Sequence, residues 1–251
     1  NMIKTNMQES NLRKIIEKKE NFTVFEYDHD MSNNPALAMQ NYYAAQMNIR
    51  KRQVMIELDD NHSAIIQKGA MQWTAGQVQG GTNVKGVGDF AKKLVSSKVT
   101  NESAIKPLYK GNGILVLEPT YKYIIIEDVG AWNGMVIEDG LFYACDASIN
   151  IKTVARKSFS AAVAGGEGMF NSCLTGQGYV VLECNCPREE LIEIELKDDE
   201  LKVDGSFAIA WSQSLSFTVE RSTKTLIGSA AGGEGLVNVY RGTGKILMAP
   251  V

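Results

Sequence analysis

Gly165-Gly166-Glu167-Gly168, followed by Gly176-Gln177-Gly178-Tyr179-Val180-Val181-Leu182, decides how this chain is read, because close versions of it occur twice more. A Glu-centred tripeptide stands at Asn101-Glu102-Ser103, Gly166-Glu167-Gly168 and Gly233-Glu234-Gly235. Eight or nine residues after each Glu comes a Gly-x-Gly: Gly111-Asn112-Gly113, Gly176-Gln177-Gly178 and Gly242-Thr243-Gly244. Each Gly-x-Gly opens an apolar run, Ile114 to Leu117, Tyr179 to Leu182 and Lys245 to Met248. Repetition of this kind specifies an architecture, since each unit needs its neighbours to bury a core. It does not specify a reaction.

Working outward, the repeat divides the chain into units of about 53–119, 120–187 and 188–251, one β domain behind an N-terminal extension of residues 1–52. Asp139-Gly140 and Asp204-Gly205 lie 65 residues apart and set the period, with Gly69 as the counterpart in the first unit. Asp-Gly marks a tight turn because Gly accepts positive φ; an interior bulge is the alternative. Alternation and β-branched content between Gly-rich turns predict strands near 54–58, 65–73, 114–118, 123–127, 135–144, 179–184, 191–196, 201–211 and 245–249. Each Gly-x-Gly reads as a hairpin. Leu117, Leu182 and Leu247 are expected to be buried equivalents, four, four and three residues after the second Gly of their motifs. The least regular parts are 76–98, 150–163 and 215–231. Asp89 is a plausible N-cap for a short helix carrying Phe90, Leu94 and Val95. Leu12, Ile15 and Ile16 predict a short, solvated N-terminal helix, and Phe22 to Tyr27 a strand. Leu37, Met39, Tyr42, Tyr43 and Met47 fit neither the helical nor the strand period cleanly.

The chain of 251 residues is 44% hydrophobic and 22% charged, an ordinary globular balance. A net charge of −3 gives no global basic excess of the kind nucleic-acid binders carry. No apolar run approaches the roughly 20 residues of a membrane span, and no signal-peptide pattern is expected at the N-terminus. The four cysteines make no disulfide framework, so a cytoplasmic location is expected.

Chemistry-bearing residues are scattered. His29 sits in a polar loop and His62 in a turn, and both read as surface residues; the His-x-His and His-Glu-x-x-His metal patterns are absent. Cys184-Asn185-Cys186 could supply two soft ligands, but it lacks a second pair, and Cys145 and Cys173 stand alone; small buried thiols are the better reading. Gly86-Val87-Gly88 is not followed by Gly-Lys-Ser/Thr, so it is not a P-loop. Glu102, Glu167 and Glu234 read as turn residues that accept backbone or basic donors, with Gly111, Gly113, Gly176, Gly178, Gly242 and Gly244 as turn glycines. Basic residues in the variable segments, Lys92, Lys93, Arg156, Lys157, Arg221 and Lys224, form a candidate surface for a protein or anionic partner. Solvated turns are the bland alternative.

Gly69-Ala70-Met71, the Gly80 to Leu94 segment, Asn101-Glu102-Ser103, Gly111-x-Gly113 with Leu117, Asp139-Gly140 and the paired Gly-Glu-Gly turns together resemble the altered-inheritance-of-mitochondria protein 24 family over about 53–251. Asn101 and Ser103 depart from the glycines seen in the other two units. The resemblance implies an all-β chain of three tandem units related to the double-stranded β-helix, similar to the tryptophan RNA-binding attenuation protein. It further implies a homotrimer, a ring of nine units, and it carries over no catalytic residue. The reading is therefore a non-enzymatic ring-forming scaffold or binding protein, with no cofactor and no metal. RNA binding or membrane association is the alternative by analogy with fold relatives, although the charge and the small N-terminal apolar face disfavour nucleic acid and membrane.

Overall fold

In a computed structural model the chain is nearly all β. The structure describes residues 3–8, 10–82, 106–138, 140–155, 170–221 and 236–250. The extension forms β1 (Arg13–Lys19), β2 (Phe22–Tyr27) and the helix α1 (Ala38–Gln46). The first unit holds β3 (Arg52–Leu58), β4 (Ala64–Ile66), β5 (Met71–Thr82) and β6 (Pro107–Leu117). The second holds β7 (Tyr123–Asp128), β8 (Met135–Ile137), β9 (Phe142–Asp146), β10 (Asn150–Ala155), β11 (Phe170–Thr175) and β12 (Tyr179–Cys184). The third holds β13 (Ile192–Asp204), β14 (Ala208–Ser212), β15 (Ser216–Arg221) and β16 (Leu236–Met248).

All three units share one plan. A last strand runs through the Gly-x-Gly: β6, the β11–β12 pair, or β16. Along one side lie the first strand and the strand preceding the turn glycine: β3 and β4, β7 and β8, or the two halves of β13. Along the other side lie the strand after that glycine and its continuation: β5 throughout, β9 and β10, or β14 and β15. The backbone repeats in detail. The turn glycines Gly69, Gly140 and Gly205 have φ of 81°, 82° and 78°, and the first glycine of each Gly-x-Gly has φ of 123°, 116° and 122°. A β-bulge recurs after each turn, at Met71/Trp73, Phe142/Ala144 and Ala208/Ala210.

Several expectations are corrected by this arrangement. The Gly-x-Gly motifs are not hairpins. Gly111–Gly113 and Gly242–Gly244 lie inside continuous strands, and Gly176–Gly178 is the bend that carries the chain from one sheet into the other. Neighbouring backbone passes too close for a side chain there: a Cβ on Gly111 would lie 2.0 Å from the Gln77 carbonyl oxygen, and one on Gly113 2.1 Å from that of Ala75. The expected strands 65–73, 135–144 and 201–211 are each split by their glycine turn. The segments expected to be irregular contain the second half of β5 and the strands β10 and β15, while Asp89, Phe90, Leu94 and Val95 fall outside the described residues. Residues 13–19 form an edge strand, not a helix, because pairing with β2 satisfies the backbone that the thin apolar face of a helix would have left unsupported. Leu117, Leu182 and Leu247 are all buried. They are not all equivalent: opposite the residue before the bulge stand Leu117, Leu182 and Met248, so Leu247 matches Val116 and Val181.

The seams between units repeat as well. β4 pairs β9 with Ala64↔Asp146, Ile65↔Cys145 and Ile66↔Ala144. β8 pairs β14 with Met135↔Ser212, Val136↔Trp211 and Ile137↔Ala210. Thus the strand before one unit's turn glycine joins the strand after the next unit's turn glycine, in the same register both times. Two apolar cores fill these seams. Phe22, Ile56, Leu117, Tyr143 and Val181 pack in one, and Trp132, Met135, Phe142, Leu182 and Leu247 in the other. A third cluster stacks Trp211, Phe217 and Tyr240 within 6 Å, ring to ring.

Candidate binding surface

From Met31 to Ile49 the sequence carries no charged residue. This stretch is inserted between the paired strands β2 and β3 and contains α1. Asn34 Oδ1 accepts from the Leu37 amide at 3.1 Å as the helix begins, and Asn48, at φ 62°, ends it in the left-handed conformation that suits a helix terminus. The orphan carbonyls at that end are taken by arginines. Arg50 Nε donates to the Ala45 carbonyl at 3.2 Å and Arg52 Nη2 to the Asn48 carbonyl at 3.0 Å. Arg52 is itself buried, donates to Glu26 Oε2 at 2.8 Å and lies 4.2 Å from the Tyr123 ring centre. The helix is thereby clamped at its C-terminus to the first sheet.

What it presents is unusual. Met39, Tyr43 and Met47 recur every fourth residue, with Tyr42 beside them, so they form one stripe. That stripe faces solvent: Met39 is 73% exposed, Tyr42 54%, Tyr43 62% and Met47 74%, while the face toward the body carries the buried Ala45. An ordinary surface helix turns its large apolar side chains inward. Leu37, Met31 and Ile49 extend the exposed patch, and Tyr42 and Tyr43 pack edge to face at 5.5 Å. Eight such side chains, counting the neighbouring Tyr121, leave on the order of several hundred Å² of apolar surface, at or above the largest patch of a typical monomer.

Beside the stripe lies an open groove of about 360 Å³ lined by His29, Asp30, Asn33, Pro35, Asn41 and Tyr42. Its charges are mutually paired. Asp30 accepts from Lys51 Nζ at 2.9 Å and from the Tyr121 hydroxyl at 2.5 Å; burial opposes its ionisation, and these donors win, holding the carboxyl below its usual range. The bond to Asp30 also pushes the Tyr121 hydroxyl up to about 12. Asp28 pairs with His29 at 2.7 Å and with Arg50 at 3.1 Å. These pairs tie the loop of residues 28–30 to Arg50, Lys51 and Tyr121.

The residues singled out in the sequence are distributed otherwise. Lys92, Lys93, Arg156, Lys157 and Lys224 lie outside the described residues, as do Glu102, Glu167 and Glu234. Arg221 is exposed at the end of β15, opposite Leu236. Next to it Glu220 is held by two hydrogen bonds from Arg241, which also donates to Glu200 at 2.9 Å; Arg241 brings the Glu220 carboxyl down to about 2. His62 pairs with Asp59 at 2.8 Å on the surface. All four cysteines are buried and free, and burial raises every thiol, Cys186 to about 11. Such thiols are inert rather than nucleophilic. The Cys186 backbone amide donates to Cys184 Sγ at 3.4 Å, and Cys186 Sγ approaches Glu190 Oε2 at 3.7 Å. Sequence reasoning missed the α1 stripe; its signal was the spacing of residues 39, 43 and 47 inside a charge-free run.

An all-β chain of three tandem units, with an inverted helix on its first sheet, is the class of protein defined by this fold. The profile of the family described as mitochondrial biogenesis AIM24 matches residues 44–251, and the chain belongs to that family. It is similar to an uncharacterized protein of Streptococcus pyogenes serotype M6, 30% identical over 203 residues, covering 77% of this chain and 79% of that one. A crystal structure of a Streptococcus pyogenes protein superposes with a TM-score of 0.58 at 24% identity, covering 80% of this chain and 88% of the other; it supports the fold. No helix among the described residues is long and apolar enough to cross a membrane.

Proposed function

We propose that this protein is a non-enzymatic, ring-forming binding protein, a homotrimer of three-unit chains that works in a reducing, cytoplasmic setting and uses no cofactor. The observation that carries the binding role is the outward apolar stripe of α1. Tyr and Met are enriched where proteins meet, and a flexible Met surface adapts to its partner. The charges around the stripe are already satisfied by one another, so the surface offers shape and apolar area. A protein partner fits this better than an anionic membrane, which favours Lys and Arg on the helix itself; α1 has neither. Four buried free thiols agree with a reducing compartment. The three-unit plan supports the assembly reading, through the resemblance to a family expected to form a ring like that of the attenuation protein.

The decisive experiment has two arms. Sedimentation at micromolar concentration is expected to show a trimer; a stable monomer overturns the ring. A photo-crosslinking amino acid at position 43, in cells of the source organism, is expected to capture a defined protein, with capture lost in a Met39→Glu/Met47→Glu background that folds normally. Capture unchanged by those substitutions overturns α1 as the binding surface.

A further inference from the structure

The two internal seams are repeats of one interface, and among the described residues the first and third units each hold one unpaired half of it. In the first seam β4 pairs β6 on one side and β9 on the other; in the second β8 pairs β11 and β14. In the third unit the equivalent segment is the second half of β13. Its register fixes the correspondence: Ile65↔Leu108, Val136↔Cys173 and Lys202↔Val239 stand at the same distance before their Gly-x-Gly. Leu201, Lys202 and Val203 therefore match Ala64, Ile65 and Ile66. Among the described residues β13 pairs β16 alone, so its outer edge is open.

The complementary half is open in the first unit. β9 pairs β12 and β4, and β14 pairs β16 and β8, whereas among the described residues β5 pairs β6 alone. The bulge aligns Trp73, Thr74 and Ala75 with Ala144, Cys145 and Asp146 and with Ala210, Trp211 and Ser212. Each open edge is missing the strand that the other supplies. Residues 71–77 and 197–202 are exposed or half-exposed along their length.

We propose that a second copy of this chain docks head to tail, its β13 adding to β5 with Leu201 opposite Ala75, Lys202 opposite Thr74 and Val203 opposite Trp73, in the register of the two internal seams. This rests on the proposed self-assembly and gives it an interface. Edge strands left open are templates for association. A heterologous contact forms a ring where its rotation closes and a filament where it does not, and the proposed homotrimer requires the former. The internal seams show that the geometry is compatible with this backbone twice over. Val203, 7% exposed, points its apolar side chain as Ile66 and Ile137 do, and Trp73 is half-buried beside Ile114.

Disulfide trapping tests the register directly. The native cysteines are buried and will not compete. Thr74→Cys/Lys202→Cys protein, oxidised mildly at micromolar concentration, is expected to form a ladder of multiples of the 27.5 kDa chain on a non-reducing gel, collapsing on reduction. Thr74→Cys and Lys202→Cys proteins mixed together are expected to give the cross-linked dimer that neither gives alone. Gln77→Cys/Lys202→Cys, displaced by three residues or about 10 Å along the strand, is expected to lose the ladder, since bridged Cα atoms lie within about 7 Å. An oligomer by sedimentation that gives no 74–202 cross-link overturns this interface and leaves self-assembly standing. A monomer overturns both. A 74–202 disulfide within one chain also overturns the proposal, because the chain would then close on itself.

Discussion

The seams between units and the helix α1 treat large apolar side chains in opposite ways. At the β4–β9 and β8–β14 seams Ile66, Met135 and Ile137 have no exposed surface. On α1, Met39 and Met47 are about three-quarters exposed. Hydrophobic burial stabilises a fold wherever it occurs. The seams gain that stabilisation, whereas the stripe on α1, a helix clamped by Arg50 and Arg52, forgoes it; the proposed binding role rests on that contrast.

The largest expected effect lies in the seams. Leu182→Ala, at 1% exposure, should cost about 2–5 kcal/mol in denaturant melts; a cost below about 0.5 kcal/mol would erase the contrast with α1. Leu247→Ala should fall in the same range, and the partly buried Met248→Ala should cost only about 1–2 kcal/mol. Equal losses at 247 and 248 would mean that Met248 is packed as fully as Leu247, against its partial exposure. The clamp comes next. Glu26→Ala leaves Arg52 buried without its carboxylate and should cost about 3 kcal/mol; paired replacement of both residues by Leu and Met should recover most of it.

The rim of the groove is read through pH. The Tyr121 hydroxyl is held protonated up to about 12, against about 10 for an ordinary tyrosine. Its contribution is complete below pH 10 and is lost as pH rises from 10 to 12, since the unfolded chain ionises first. Burial raises Tyr143 as well, so a decline remains above pH 10 without Tyr121. Tyr121→Phe should flatten the stability curve between pH 10 and 12 relative to wild type; superimposable curves would show that the Asp30 bond does not persist in solution. The smallest stability effect belongs to α1 itself. Met39→Ser/Met47→Ser should shift stability by no more than about 0.5 kcal/mol while abolishing partner capture by the crosslinker at position 43. A loss of several kcal/mol there would mean that the stripe packs against this chain.

Much of the fold was legible in the sequence because its signals are local. A glycine forced to positive φ, such as Gly140 or Gly176, and an alternating run such as Tyr179 to Leu182 state their conformation without neighbours. The buried leucines followed from the same runs. Less of the surface was legible. Met39, Tyr43 and Met47 announce a helical stripe, but periodicity alone does not say whether a stripe faces the core, and in ordinary helices it does. The N-terminal Leu12, Ile15 and Ile16 suited a helix until β2 offered an edge to pair with.

The sequence by itself determined that there are three units, where their glycine turns fall and which residues are apolar enough to fill a core, since turn chemistry and alternation are properties of short segments. Only the tertiary structure decided that the Gly-x-Gly motifs are not hairpins, two lying inside continuous strands and one bending the chain from sheet to sheet. It also decided that Met248 and not Leu247 answers to Leu117, and that among the described residues β5 and β13 each keep one unpaired edge. Those outcomes depend on register between strands far apart in the chain, and register is fixed by which backbone groups meet.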